Sequence, residues 1–314
     1  MMIKPQMLFS LIITVWAVSI GRTQDMKKSI TNLSGPYFSQ KAPVSQAEVF
    51  LDGIISTKDS PEMCAAFTAD GREFYYNAQE NGRWAIFVTR MLDDRWTKPQ
   101  PLPFTSEYTD RDFTISPDGS RIYFGSNRPR KPGERPQQLL DIFVTERLNR
   151  NQWSQPKVVG FPVSTDANEN YPSAARSGNL YFFSKRDDGI GKCDIYVSRF
   201  KNGRYQPAEC LGPAVNSAKN DWDAFIAPDE SYIIFSSQNR DDTIGGQDLY
   251  ISYRTSGGSW TKAKNMGPRI NSKSGEICPS VSLNGRCFFF TSRRRGNADI
   301  FWIDAKIIDD LKHD

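Results

Sequence analysis

Histidine is almost absent from this 314-residue chain: the single one, His313, stands beside the C-terminal residue. A Ser–His–Asp triad needs an imidazole placed next to its nucleophile, so that chemistry is excluded. No cluster of His and Cys has metal-ligand spacing, and no Gly-rich loop ends in Lys-Ser or Lys-Thr to cradle a phosphate. Cysteine is scarce too, with five in the whole chain, which rules out a disulfide-dense scaffold. Cys193 and Cys210 flank a hairpin-like stretch and are either a bridge or two buried free thiols. Cys64, Cys278 and Cys287 read as small apolar fillers. Basic blocks are missing as well: 40 Lys and Arg mix with 36 Asp and Glu for a net charge of +4, and no nucleic-acid partner is expected. Sustained apolar spacing of three and four does not occur, so long amphipathic helices are not expected.

Long apolar runs are confined to one, Met7 to Ile20, which follows Lys4 and ends near the small residues Ser19 and Gly21. That arrangement predicts a signal peptide over 1–21, because a bilayer span takes about 20 apolar residues. No cysteine precedes Cys64, so lipid attachment to an N-terminal cysteine is not expected. The mature chain is expected to be secreted or periplasmic, with no membrane span after cleavage. Residues 22–45 then form an N-terminal extension and 46–314 a single domain.

What fills that domain is a repeat. TADGREFYY, SPDGSRIYF, RSGNLYFF, APDESYIIF and LNGRCFFF share a turn followed by an aromatic strand, at intervals of roughly 50 residues. A third strand recurs as AIFVTR, DIFVTE, DIYVSR, DLYISY and DIFWID. Fourth strands follow in four copies, PQPLPF, PKVVGFPVS, PAECLGPAVNS and KAKNMGPRINS. Each copy is thus a four-stranded antiparallel unit with both faces apolar, the pattern of an all-β propeller blade. The fifth copy lacks its last strand, while residues 47–56 (AEVFLDGIIS) resemble one. This predicts a five-bladed β-propeller, rather than a six-bladed one, closed by an N-terminal strand that completes the last blade.

The segments SPDGSRIYFGSNR and DIFVTER resemble the Pro-Asp-Gly repeat of TolB-type, WD40-like propellers, over about residues 46 to 305. The resemblance implies a fold more than an activity, since such propellers serve as protein-interaction platforms and also carry enzymes.

An acid precedes each turn by nine positions: Glu62, Asp110, Glu169, Asp221 and Glu276. These open the innermost strands and are expected around one mouth of the central channel. The second strands return to that face with Ser126 and Arg128, Ser184 and Arg186, Ser237 and Arg240, and Ser292 with Arg293 and Arg294. Two readings stand. Each acid pairs with a nearby Arg or Ser and fixes its loop, because five bare carboxylates would repel one another. Alternatively, the mouth collects a ligand such as a cation or sugar. A second recurrent acid, Asp141, Asp194, Asp248 and Asp299, opens the third strand, with Ala85 in the first copy; these read as loop anchors. Asp187 with Asp188, and Asp241 with Asp242, resemble pieces of a calcium loop without its full spacing. The long stretch NRPRKPGERPQQLL, residues 127–140, is expected to project from the same face.

The functional expectation is an exported, non-catalytic, monomeric propeller without cofactor or metal, binding a protein or glycan through that acid-and-Arg face. One alternative is a glycosidase-like enzyme that uses mouth carboxylates such as Glu62, Asp110 and Glu169, which would need to lie about 5–9.5 Å apart. The other is a purely structural envelope component.

Overall fold

Each turn of the repeat is built the same way, and that explains its sequence. Asp118 accepts from the Ser116 hydroxyl (2.5 Å) and the Ser120 amide (3.0 Å), which bends the chain back on itself. Asp70 does this with Thr68 and Arg72, and Asn284 with Ser282 and Arg286. The next residue takes the left-handed conformation at Gly71, Gly119 and Gly285, where glycine alone escapes the steric cost. Glu230 occupies that place in the fourth copy at φ 61°, held there by Ser177, Asn179 and Tyr181 of the preceding copy.

The computed structural model describes residues 29–105 and 107–313; the expected signal peptide, 1–21, lies outside them. The described residues form five antiparallel blade sheets and a separate two-stranded hairpin, Phe200–Lys201 with Arg204–Tyr205. Blade 1 comprises Glu62–Phe67, Glu73–Glu80, Arg83–Leu92 and Gln100–Pro101. Blade 2 comprises Asp110–Ile115, Arg121–Ser126, Asp141–Asn149 and Lys157–Val158. Glu169–Ala174, Leu180–Ser184, Asp194–Ser198 and Glu209–Cys210 make blade 3. Asn220–Ile226, Tyr232–Gln238, Gln247–Tyr253 and Lys264–Asn265 make blade 4. Blade 5 contributes Glu276–Val281, Cys287–Ser292 and Asp299–Asp304. The inner strand of every blade touches those of its two neighbours, blade 5 meeting blade 1, so the ring is closed.

The fourth strand of blade 5 is Glu48–Val49, antiparallel to the third, with Glu48 opposite Trp302 and Val49 opposite Phe301. The equivalence extends past the strand. In blades 3 and 4, Asn216 and Asn271 clip the backbone of Ile195 and Leu249 just after the fourth strand. Ser56 performs that task on Ile300, accepting from its amide at 3.1 Å. Closure also buries aromatics: Phe50 lies 5.1 Å from Trp302 and 5.0 Å from Phe74, wedged between blades 5 and 1.

Residues 29–45 of the extension lie against the same seam. The Trp96 indole donates to Gly35 O (2.9 Å), and Phe38 stacks on Trp96 with centroids 3.8 Å apart. Tyr37, Phe38 and Ser39 are all left-handed, a strained run that Phe38 offsets by burial among Phe50, Phe67 and Phe74. A short helix, Ile307–His313, ends the described chain. No helix among the described residues is long and apolar enough to cross a membrane.

Candidate functional site

The recurrent acids open the inner strands, and four of them are clasped by arginine. Arg128 meets Asp110 at 2.6 Å, Arg186 meets Glu169 at 3.2 Å, Arg240 meets Asp221 at 2.6 Å and Arg294 meets Glu276 at 3.2 Å. Each guanidinium also donates to the serine that ends the second strand: Ser126, Ser184, Ser237 or Ser292. It donates again to a carbonyl at the crossover from the preceding blade: Phe104, Val163, Val215 or Ile270. Beneath it lie two rings of its own blade, such as Phe235 and Tyr250 under Arg240. In blades 3, 4 and 5 the carboxylate further accepts from Thr165, Ser217 or Ser272 in the crossover loop. The arrangement is a buried clasp fastening each blade to the one before it, and the five acids are all but inaccessible to solvent. Burial raises the Asp110 carboxyl above its ordinary range, with Arg128 opposing.

Glu62 is the exception. Its partner across the strand pair is Ala78, where the other blades have serine, and Glu80 stands where they have arginine. Its carboxylate is held by the Thr57 amide (3.0 Å) and the hydroxyls of Thr57 (3.1 Å) and Ser60 (2.5 Å) instead. With no cation beside it, burial pushes this group up to about 7.

Two residues past each acid the inner strand breaks register in every blade. The residue there is left-handed in all five: Cys64, Asp112, Tyr171, Asp223 and Cys278, with φ between 47° and 55°. None is glycine, and the bulges bring these side chains together near the ring axis. Ligand atoms of Cys64, Asp112 and Cys278 lie within 4.8 Å of one another, all buried. The Cys64 thiol points at Asp112 Oδ1 (3.8 Å). Asp112 Oδ2 accepts from the Asn170 amide and lies 3.3 Å from Arg111 Nε, and the Asp112 backbone amide donates to Asn77 Oδ1 (2.9 Å). Burial, and then the charge of Asp112, push the Asp223 carboxyl up to about 7; Ser236 donates to it at 3.2 Å. Burial also raises the thiols of Cys64 and Cys278. Beside this cluster lies a cavity of about 30 Å³, room for about one water, lined by Cys64, Tyr171, Thr114 and Ser280 as well as by Phe67 and Phe113. The axial residues were not legible as a site, because they vary among Cys, Asp and Tyr while the residues around them recur.

The third-strand acids anchor loops. Asp194 accepts from the amides of Ile190 (2.9 Å) and Gly191 (2.8 Å), and Asp248 from those of Ile244 (2.6 Å) and Gly245 (3.0 Å). Asp141 holds Arg130 and Gln137 of the 127–140 loop, and Asp299 faces Arg295 at 3.7 Å. Asp188 and Asp242 accept from Tyr196 and Tyr250, each at 2.8 Å, which ties one acid of each pair to its own blade. Cys193 and Cys210 are both free thiols; Cys210 faces Tyr196 across the sheet and so does not meet Cys193, and it is half-buried rather than buried.

No family model matches the chain, and no curated protein matches it in sequence. Solved structures do match. A putative TolB from Agrobacterium tumefaciens is 16% identical, covering 74% of this chain and 70% of its own, with a TM-score of 0.49. An alpha-L-arabinofuranosidase from Lactobacillus brevis is 12% identical over 88% of this chain and 94% of its own, with a TM-score of 0.50. A glycoside hydrolase is 7% identical over 86% and 93%, with a TM-score of 0.53. At such identities the likeness to the last two is one of fold alone.

Proposed function

We propose that the chain is a non-catalytic propeller, acting outside the cytoplasm, that binds a protein or glycan partner through the face where its inner strands begin. One observation carries this reading: the loops on that face hold large apolar side chains out into solvent. Phe161, in the crossover from blade 2 to blade 3, is 87% exposed, and Leu139, Ile190 and Ile244 are exposed on the loops of blades 2, 3 and 4. Ile190 and Ile244 sit at tips whose backbones Asp194 and Asp248 tie down, so both are presented on rigid supports. Pre-organised apolar tips among exposed charges of both signs, such as Lys185, Lys192, Asp187 and Asp241, suit a partner that meets an apolar patch with a polar rim. The eight charged residues of the four clasps, together with Glu62, frame that face from beneath.

A variant carrying F161S, I190S and I244S tests this reading. It should keep the wild-type melting temperature within about 2 °C, since surface changes cost little. Capture of partners from an envelope extract, and binding to a glycan array, should fall at least tenfold. Undiminished capture and array binding by the folded variant would overturn the proposal.

The carbohydrate-active reading keeps one supporting observation. Asp112 and Asp223 are close enough for one charge to raise the other's proton affinity, as paired acid and base groups do. Against it, Asp112 is buried and fully engaged by Asn170, Arg111 and Cys64. Hydrolysis of arabinan or another polysaccharide by purified protein, abolished in D223N, would establish turnover.

A further inference from the structure

The axial cluster is more than a polar plug. Three blades each deliver one side chain to a single point: Cys64 from blade 1, Asp112 from blade 2 and Cys278 from blade 5. All three stand at the left-handed bulge that every blade has, which turns the side chain there toward the axis. We infer that Cys64, Cys278 and Asp112 form a binding site for a thiophilic divalent cation of the zinc or cadmium type, set on the propeller axis.

The chemistry of the donors selects the ion. Two sulfurs and one carboxylate oxygen match the borderline-soft set of Zn²⁺ and Cd²⁺, whereas Ca²⁺ and Mg²⁺ take oxygen alone. Ligand atoms spread within 4.8 Å need only a small contraction to stand about 2.0–2.3 Å from a common centre. The two oxygens of Asp112 are already divided between roles. Oδ2 is held by Asn170 and faced by Arg111, while Oδ1 is turned toward the Cys64 sulfur and is the atom left for a metal. Supports of this kind fix a carboxylate ligand from behind. Gly125 belongs to this support: a Cβ there would fall 1.8 Å from Asn170 Oδ1, so the glycine keeps room for Asn170 to reach Asp112.

Binding exchanges protons for metal. One dication enters, the Cys64 and Cys278 thiols release one proton each, and two metal–sulfur bonds form, with no change of oxidation state. Two thiolates and Asp112 then carry three negative charges, matched by the dication and Arg111. A water would complete a tetrahedron. Among the described residues no other group of His, Cys, Asp and Glu gathers in this way.

The test uses the full chain, reduced and stripped of metal, titrated with Cd²⁺ and Co²⁺. One equivalent of Cd²⁺ should produce the ultraviolet charge-transfer band of thiolate ligation, and Co²⁺ the visible spectrum of a tetrahedral site. Peptide mapping after alkylation should show Cys64 and Cys278 protected by metal at least tenfold, with Cys193, Cys210 and Cys287 unaffected. C64S and C278S should lose the band, and D112N should weaken binding about tenfold or more. No band in the reduced wild type, protection of other cysteines instead, or a band that survives in folded C64S or C278S would each overturn the site. A Cys64–Cys278 disulfide in the native protein would overturn it too. Should the variants fail to fold, the wild-type titration with thiol mapping decides alone.

Discussion

Glu62 and its four counterparts show how one side chain's surroundings set its chemistry. All five are buried at the same place in their blades, yet only Glu62 lacks an arginine, and its carboxyl is pushed up to about 7. The folded protein therefore holds this proton more tightly than the unfolded chain does, whose glutamates titrate near 4.5. The stabilisation is fully present below that value and is lost as pH rises through about 7. Glu62→Gln cannot titrate. Its stability relative to wild type, from urea unfolding in chelator-containing buffer, should improve by roughly 1–2 kcal/mol between pH 5 and pH 8.5. A difference that stays flat, or moves the other way, would show that Glu62 is charged throughout. The recurrence of these acids and arginines was readable before any coordinates, because each repeat poses the same problem of burying a carboxylate. The Glu62 exception was readable too, in Ala78 and Glu80, but only once strand pairing fixed which residues correspond.

Between elements, the clasp is the repeated joint. Arg186 touches the inner strand at Glu169, the second strand at Ser184 and the preceding blade at Val163, so three segments share one cation. Removing it in Arg186→Met should leave Glu169 buried without its counter-charge and cost about 3–5 kcal/mol in urea unfolding. The double variant Glu169→Gln with Arg186→Met should recover part of that loss, a coupling that additive costs would refute. Strand order and blade count were legible because aromatic strands and polar turns alternate with a regular period. The bulges were not. Their left-handed residue is Cys, Asp, Tyr, Asp and Cys in turn, with no glycine to announce the conformation, so the axial cluster stayed hidden in strands that looked continuous. The exposed tips were hidden for another reason: nothing in the sequence marks Ile190 and Ile244, whose backbone amides Asp194 and Asp248 hold.

At the scale of the ring, the seam between blades 5 and 1 gathers what the other joints spread out. It has no arginine clasp on Glu62, and holds instead by Phe50, Ser56 and the Glu48–Val49 strand. Phe50→Ala should therefore cost about 3–5 kcal/mol. Native-state hydrogen exchange should show protection lost first at Ile300 to Trp302. Uniform loss over all blades would mean that the seam is not the weakest joint. The N-terminal strand also has a consequence for how the molecule is made. It leaves the ribosome ahead of the whole ring, and the sheet that receives it leaves last. Until blade 5 is made, Phe50 has only Phe38, Phe67 and Phe74 to pack on, and a product cut short before Asp304 leaves its other side uncovered. Proteases and quality-control chaperones thus meet an exposed ring edge on every copy whose fifth blade is unmade and a covered one once it is made, so that the geometry itself reports whether the ring has been synthesised.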